Sequence, residues 1–151
     1  MILESIKAII FDWGRTIYDK DNERLFPETK EVLEYCAKKY TLAIVSLAVD
    51  DHIEGRFEKL DNYDIRKYFK FALFHVSDKD SLFRNAIGNL NLKPEEILVV
   101  DDRIKRSSWC IKRGCKVIWI QKGKFENELP DSSTGFPTLT VKSLKEIIDF
   151  L

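Results

Sequence analysis

Cysteine, histidine and proline are scarce in this chain, at 3, 2 and 4 residues of 151, and each scarcity excludes something. Cys36, Cys110 and Cys115 are odd in number and form no CxxC pair. They read as free thiols of a reducing compartment, not as a disulfide framework. Neither His52 nor His75 lies near them in sequence, which argues against a cysteine zinc site. No run approaches the length of a transmembrane helix. The N-terminus, Met-Ile-Leu-Glu, has no basic n-region and leads within a few residues into a strand-like segment. No signal peptide, no membrane contact and a cytoplasmic location are therefore expected. An excess of one charge is also missing, since 25 basic residues balance 25 acidic ones. Nothing in that balance favours nucleic acid or an anionic membrane as partner. Internal repeats, linkers and low-complexity segments are absent as well. What is present, 44% apolar and 33% charged residues, describes a soluble globular chain. Its length suits one domain with a proper core, expected over residues 1–151.

The apolar residues fall into short solid runs separated by helical patterns. Residues 6–11, 42–45, 71–74, 97–100 and 117–120 read as five buried strands, and Thr138–Val141 as a short edge strand. Leu33, Cys36, Ala37 and Tyr40 recur at helical spacing after Pro27, a helix opener. Val49, Ile53, Phe57 and Leu60 give a second stripe. A third runs from Leu82 to Leu90 behind a cap at Ser77 or Asp78, and a fourth helix spans Ile104 to Arg113 and stops at Gly114. Ser143-Leu144-Lys145-Glu146 is a capping box opening a last helix striped by Leu144, Ile147, Ile148 and Leu151. Residues 12–26 and 121–137 read as loops. Solid apolar strands alternating with helices predict an α/β fold, a Rossmann-like three-layer sandwich around a mainly parallel sheet of about five strands.

Polar residues stand at the ends of these strands. Asp12 follows the first, Ser46 the second, Lys79 comes a few residues past the third, and Asp101-Asp102 follow the fourth. In open parallel sheets, ligands collect at the carboxyl ends of the strands. The chemistry open to this set is phosphoryl transfer. A carboxylate at Asp12 can attack phosphorus, while Lys79 and the Ser46 hydroxyl stabilise charge on the transferring group. Three carboxylates without a nearby His or Cys suit Mg²⁺, which also offsets repulsion between anionic nucleophile and anionic substrate.

This ordered set resembles the haloacid dehalogenase (HAD) superfamily, mostly Mg²⁺-dependent phosphatases on a Rossmann-like sheet. The first family motif, an apolar strand and Asp-x-Asp-x-Thr/Val, stands here as Ile9-Ile10-Phe11-Asp12-Trp13-Gly14-Arg15-Thr16. Ile44-Val45-Ser46 resembles the second, Lys79 the third, and Leu98-Val99-Val100-Asp101-Asp102 the fourth. The resemblance covers roughly residues 6–120 and implies a nucleophile at Asp12, with Ser46 and Lys79 holding the phosphate. It implies Mg²⁺ ligands at Asp12, Asp101, Asp102 and the Gly14 carbonyl. Thr16 would hydrogen-bond near the nucleophile, and Arg15, with Trp13 and Tyr18, sits on a candidate substrate-contacting flap.

One departure is at Gly14, where family phosphatases carry the Asp that protonates the leaving group and then activates water. General acid–base help is worth roughly 10²–10⁴ in rate. Some branches of the family carry Gly there and are still regarded as phosphatases. Asp19, Asp21, Asp50, His52, His75 and Asp78 are the candidate substitutes. A lesser departure is Asp80 where Pro often follows the motif lysine. Cap domains are inserted between the first and second or second and third motifs, and here those intervals are 34 and 33 residues. Neither holds a full cap, so a capless protein with at most a small flap within residues 14–26 is expected.

The expected function is an Mg²⁺-dependent phosphohydrolase acting on a phosphomonoester through an aspartyl phosphate. An open site suits a phosphorylated macromolecule or small molecule, or closure by a second subunit. The alternative is a catalytically impaired HAD-like module that binds a phosphorylated ligand or protein partner, the reading Gly14 favours. A receiver-type signalling domain has the acid pair on its first strand, the reverse of the order here. A dehalogenase would have no use for the acid pair. His52 and His75 read as structural or surface residues, Trp109 and Trp119 as core. Arg103, Lys105 and Arg106 are either an anion-steering cluster or the wet face of a helix.

Overall fold

A computed structural model describes residues 3–151. Met1 and Ile2, part of the N-terminal stretch without a signal-peptide pattern, lie outside the described residues. The strands are β1 (Ala8–Phe11), β2 (Tyr18–Asp19), β3 (Arg24–Leu25), β4 (Thr41–Leu47), β5 (Phe69–His75), β6 (Ile97–Asp101), β7 (Lys116–Ile120) and β8 (Leu139–Val141). The helices are α1 (Thr29–Ala37), α2 (Ile53–Asn62), α3 (Lys79–Leu90) and α4 (Ile104–Lys112). Six strands form one sheet in the order β5-β4-β1-β6-β7-β8, and β2 pairs with β3 in a separate hairpin. Every neighbouring pair in the six-stranded sheet is parallel.

Alternation along the strands builds two cores. Ile9, Phe11, Leu42, Ile44, Leu98 and Val100 pack with Val32, Leu33 and Cys36 of α1, Leu60 of α2, and Leu144 and Ile147 near the C-terminus. Ala8, Ile10, Ala43, Val45, Val99 and Val117 pack on the other face with Leu82, Phe83 and Ala86 of α3 and with Ile104 and Cys110 of α4. Both faces are covered, which is why the central strands read as unbroken apolar runs. Each fully buried Ile, Leu or Val contributes about 1.5–3 kcal/mol, so these layers fix the register of every strand end. The three cysteines are free and buried.

Local signals set the helix ends. Asp78 caps α3 by accepting a hydrogen bond from the Ser81 amide at 3.0 Å. Gly114, at φ +94, lets the chain leave α4 in the left-handed region that other residues resist.

Several elements differ from expectation. The sixth strand is not one of these, since Leu139–Val141 pairs with β7 as the expected edge strand. Residues 18–25 form a hairpin in place of an irregular loop. Val49 is exposed and lies before α2, Ile53 is half-buried outside the core clusters, and Phe57 and Leu60 pack on the core. The C-terminal helix, Leu144–Phe150, is 3₁₀ and keeps its Ser143–Glu146 capping box. Residues 121–137 contain a 3₁₀ turn at Gly123–Phe125. Among the described residues no helix is long and apolar enough to cross a membrane.

Candidate functional site

The chain runs from β1 to β4 and β5 on one side, then crosses to β6, β7 and β8 on the other. The direction of winding reverses between β1 and β6, which opens a crevice beyond their carboxyl ends. Asp12 stands directly after β1, and its amide continues the ladder to the Val100 carbonyl at 3.0 Å. Asp101 ends β6 and Asp102 follows it. Ser46 comes from β4, and Lys79 is the first residue of α3. Four separate parts of the chain thus meet at one place.

The five side chains are almost fully enclosed, from 1% exposure at Asp101 to 8% at Asp12. The Ser46 hydroxyl donates to Asp12 Oδ1 at 2.7 Å, and Lys79 Nζ donates to the same oxygen at 3.1 Å. Lys79 Nζ also donates to Asp101 Oδ2 at 2.6 Å. Asp101 Oδ1 accepts from the Arg103 amide at 3.0 Å. Among the described residues Asp12 Oδ2 has a single long contact, from the Thr16 hydroxyl at 3.4 Å, and that hydroxyl lies 3.5 Å from Asp102 Oδ1. Asp102 Oδ2 is buried with no partner among the described residues.

The electrostatics follow from this crowding. Burial alone pushes the Lys79 ammonium down, but Asp101 and Asp12 more than reverse that and hold it above the usual lysine value. Burial pushes Asp101 up, Asp12 adds to the rise, and Lys79 opposes it. Burial and the charges of Asp12 and Asp101 push Asp102 up to about 9. One lysine cannot balance three ionised carboxylates, so without a further cation Asp102 keeps its proton, and full ionisation of the cluster calls for more positive charge. Ligand oxygens of Asp12, Asp101 and Asp102 lie within 4.8 Å of one another. An all-oxygen donor set, an unpartnered buried carboxylate oxygen and a deficit of positive charge fit a hard divalent cation such as Mg²⁺. Gly14 also lines the cleft, and its carbonyl accepts no hydrogen bond among the described residues.

The site residues expected from sequence therefore converge, although not all in the same way. Thr16 is 1% exposed, reaches Asp12 and Asp102 only through long contacts, and is not on the cleft wall. Lys79 likewise is not on the wall and meets the cluster through Asp12 and Asp101. Arg15 lines the cleft, with its Nη2 on Asp21 at 3.1 Å. Trp13 and Tyr18 are buried and stack at 5.0 Å, so the flap is packed down and not a free loop. Of the candidate replacements for the missing acid, only Asp50 lines the cleft. Arg103 and Arg106 line it as well, whereas Lys105 is exposed. His52 and His75 are exposed, Trp119 is core and Trp109 is half-buried.

Other contributors were not singled out from sequence. Trp119 Nε1 donates to the Asp102 carbonyl at 2.9 Å and fixes the turn after β6. Lys20, Glu23, Arg56, Lys59 and Phe125 join the cleft wall. Arg56 and Lys59 are one helical turn apart, a spacing that was readable, but nothing local says which way that face of α2 points.

A family model described as haloacid dehalogenase-like hydrolase matches residues 3–120. The chain belongs to the haloacid dehalogenase-like hydrolase family. No curated protein matches it. Solved structures place it among HAD folds at low identity. The Bacillus subtilis protein YfnB, whose structure is bound to magnesium, is 12% identical with a TM-score of 0.78, over 97% of this chain and 98% of that one. A dehalogenase from Pseudomonas syringae, named for 2-haloacids, is 13% identical with a TM-score of 0.72, over 95% of this chain and 97% of that one. A predicted phosphoglycolate phosphatase from Haemophilus somnus is 22% identical with a TM-score of 0.66, over 84% of this chain and 57% of that one. These likenesses concern the HAD fold, which hosts both dehalogenases and phosphatases.

Proposed function

We propose that this HAD-like protein is a phosphohydrolase that takes the phosphoryl group of a phosphomonoester onto Asp12. The observation that carries the reading is the pairing of Asp12 with Lys79 and Ser46 beside two further buried carboxylates. The acid pair favours this reading over dehalogenation, which has no need of a cation beside the nucleophile. A nucleophilic carboxylate needs a fixed orientation, and two donors on Oδ1 supply it. Oδ2, held only by a long contact from Thr16, is the freer oxygen.

In the reaction, a carboxylate oxygen of Asp12 bonds to phosphorus as the bond from phosphorus to the ester oxygen breaks. The leaving alkoxide takes a proton from solvent water, because Gly14 has none to give, and the proton shed by the attacking water in the second step returns to solvent. Water then attacks the aspartyl phosphate, releases inorganic phosphate and restores the carboxylate. Lys79 and the Ser46 hydroxyl counter the charge that gathers on the phosphoryl oxygens. Asp12, Asp101, Asp102 and the Gly14 carbonyl would hold Mg²⁺. Bound there, Mg²⁺ would supply Lewis-acid stabilisation of that charge.

A second reading, a module that binds a phosphorylated ligand without turnover, has one observation in its favour. Gly14 offers no acid, and Asp50, the replacement candidate on the wall, is engaged by Arg56 Nη2 at 3.0 Å and by the His52 amide at 3.3 Å. Phosphate release from a broad phosphomonoester panel, with Mg²⁺ and with EDTA, separates the two. Mg²⁺-dependent release that disappears in Asp12→Asn supports the hydrolase. A folded, Mg²⁺-binding protein that releases no phosphate from any ester contradicts it and leaves the binding module.

A further inference from the structure

The cleft beyond the acid cluster carries a second set of charges that phosphoryl chemistry at Asp12 does not use. The wall formed by the β2–β3 hairpin region and α2 presents Arg15, Lys20, Arg56 and Lys59 against Glu23 and Asp50. Arg56 and Lys59 sit three positions apart on α2 and so share a face. Arg56 is 9% exposed, yet among the described residues its buried Nε has no partner, and its ion pair there is with half-exposed Asp50 at 3.0 Å. Arg15 repeats the pattern: its Nε is buried without a partner, and its ion pair is with exposed Asp21. Lys59 has no ion pair among the described residues and lies 5.7 Å from the Tyr18 ring, which stacks on Trp13. Lys20, which is exposed, has no ion pair among the described residues either.

Buried guanidinium groups normally use their donors, because an unmade hydrogen bond to a charged group costs more than one to a neutral group. Two arginines with idle buried donors, and two unpaired lysines beside them, leave this wall short of negative charge. The cleft is also small. Its volume of about 230 Å³ is below the roughly 300–1,000 Å³ of pockets that hold drug-sized ligands.

We propose that this wall is a subsite for a second anionic group, so that the ligand is a small phosphomonoester carrying a carboxylate or a further phosphate a few bonds from the transferred phosphoryl group. The proposal rests on the phosphomonoester reading for the group at Asp12. Arg56 and Lys59 are the specificity-determining residues, and charge-assisted hydrogen bonds from them favour the doubly anionic ligand. A large phosphorylated macromolecule needs no such enclosed second charge.

The test is binding, read without turnover. Calorimetry with Mg²⁺ present compares carboxyethylphosphonate with propylphosphonate, two ligands of equal length that differ in the second charge. The native protein is expected to bind the carboxylate ligand about 10- to 100-fold more tightly, the factor that one or two charge-assisted hydrogen bonds supply. Lys59→Gln, at a half-buried residue without an ion pair, is expected to cut that ratio at least about fivefold. Arg56→Lys, which keeps the charge but loses the planar fork, is expected to cut it less. A native ratio below about two overturns the subsite. A high ratio that survives in folded Lys59→Gln and Arg56→Lys overturns the assignment to this wall. A bisphosphonate of matched length shows which second anion binds better. Phosphate release from matched esters keeps the two proposals apart: release with a ratio near one removes the subsite alone, and a high ratio without release removes the hydrolase alone.

Discussion

Replacing Lys79 by methionine removes a cation that is 4% exposed and lies 3.1 Å from Asp12 and 2.6 Å from Asp101. The stem is replaced by a chain of similar length, so the packing loss is small and the charge loss dominates. Removing one partner of a buried pair typically costs about 3–5 kcal/mol, because the remaining charge stays buried and uncompensated. Here two carboxylates lose a partner at once, and Asp102, already raised to about 9 by burial and its neighbours, stands beside them. For a chain of this size each kcal/mol moves the melting temperature by about 2–4 °C. A drop of about 6–20 °C in EDTA at neutral pH is therefore expected. The defect is a surplus of negative charge, so it is expected to shrink in two ways. Lowering the pH protonates the carboxylates, and saturating Mg²⁺ neutralises them, so the Mg²⁺-induced rise in melting temperature becomes larger in the variant than in the native protein. The assay is thermal unfolding of both proteins in EDTA and in Mg²⁺, at pH 5 and pH 8. A drop below about 2 °C in EDTA, or an equal drop under all four conditions, would refute the reasoning.

Three further outcomes follow from the same geometry. Without Mg²⁺, stability is expected to fall from pH 5 to pH 9 by up to about 1.4 kcal/mol per pH unit, read from urea midpoints. The sign comes from Asp102, whose raised folded pKa of about 9 favours the protonated form; that stabilisation is complete below the unfolded carboxyl value and is lost as pH rises through the folded one. Saturating Mg²⁺ should flatten the slope, and a stability rising with pH in EDTA would contradict the assignment. Gly135→Ala is expected to cost about 1–3 kcal/mol, because Gly135 has φ +76 and a Cβ there would lie 2.6 Å from Ile111 Cγ2; an unchanged melting temperature would show that the loop packs otherwise. Gly14→Asp is expected to fold normally, since the nearest atom to a Cβ there is Lys20 Cδ at 3.9 Å, and under the hydrolase reading to raise phosphate release about 10²–10⁴-fold; a folded variant with no gain would mean that another group already moves the proton.

The framework was legible because burial on both faces writes itself into sequence. β1, β4, β6 and β7 are apolar runs, and Asp12, Ser46 and Asp101 mark where three of them reach the crevice. The cluster of Asp12, Ser46, Lys79, Asp101 and Asp102 was readable because each member sits at a fixed offset from a strand or helix end. The β2–β3 hairpin was not, since two strands of two residues each are too short to show a period of two. The 3₁₀ form of Leu144–Phe150 was hidden because a capping box marks where a helix starts but not its hydrogen-bond spacing. The cleft wall was hidden for another reason. Arg56 and Lys59 look like ordinary helix charges until tertiary packing turns that face of α2 toward Asp12's crevice, and Phe125 comes from a loop placed by contacts distant in sequence. Trp119 was expected in the core, but its hydrogen bond to the Asp102 carbonyl depends on the pairing of β6 with β7.

The central claim is that Asp12 accepts the phosphoryl group, and the most direct measurement is to trap it there. The protein is mixed with a turned-over or tightly bound phosphomonoester and Mg²⁺, quenched within milliseconds, and treated with hydroxylamine, which converts an acyl phosphate to a hydroxamate that peptide mass spectrometry can locate. A hydroxamate at Asp12 is expected, formed only with ester and Mg²⁺ present and absent in Asp12→Asn. A hydroxamate at Asp101 or Asp102, or phosphate release with unmodified Asp12 at every quench time, would contradict it.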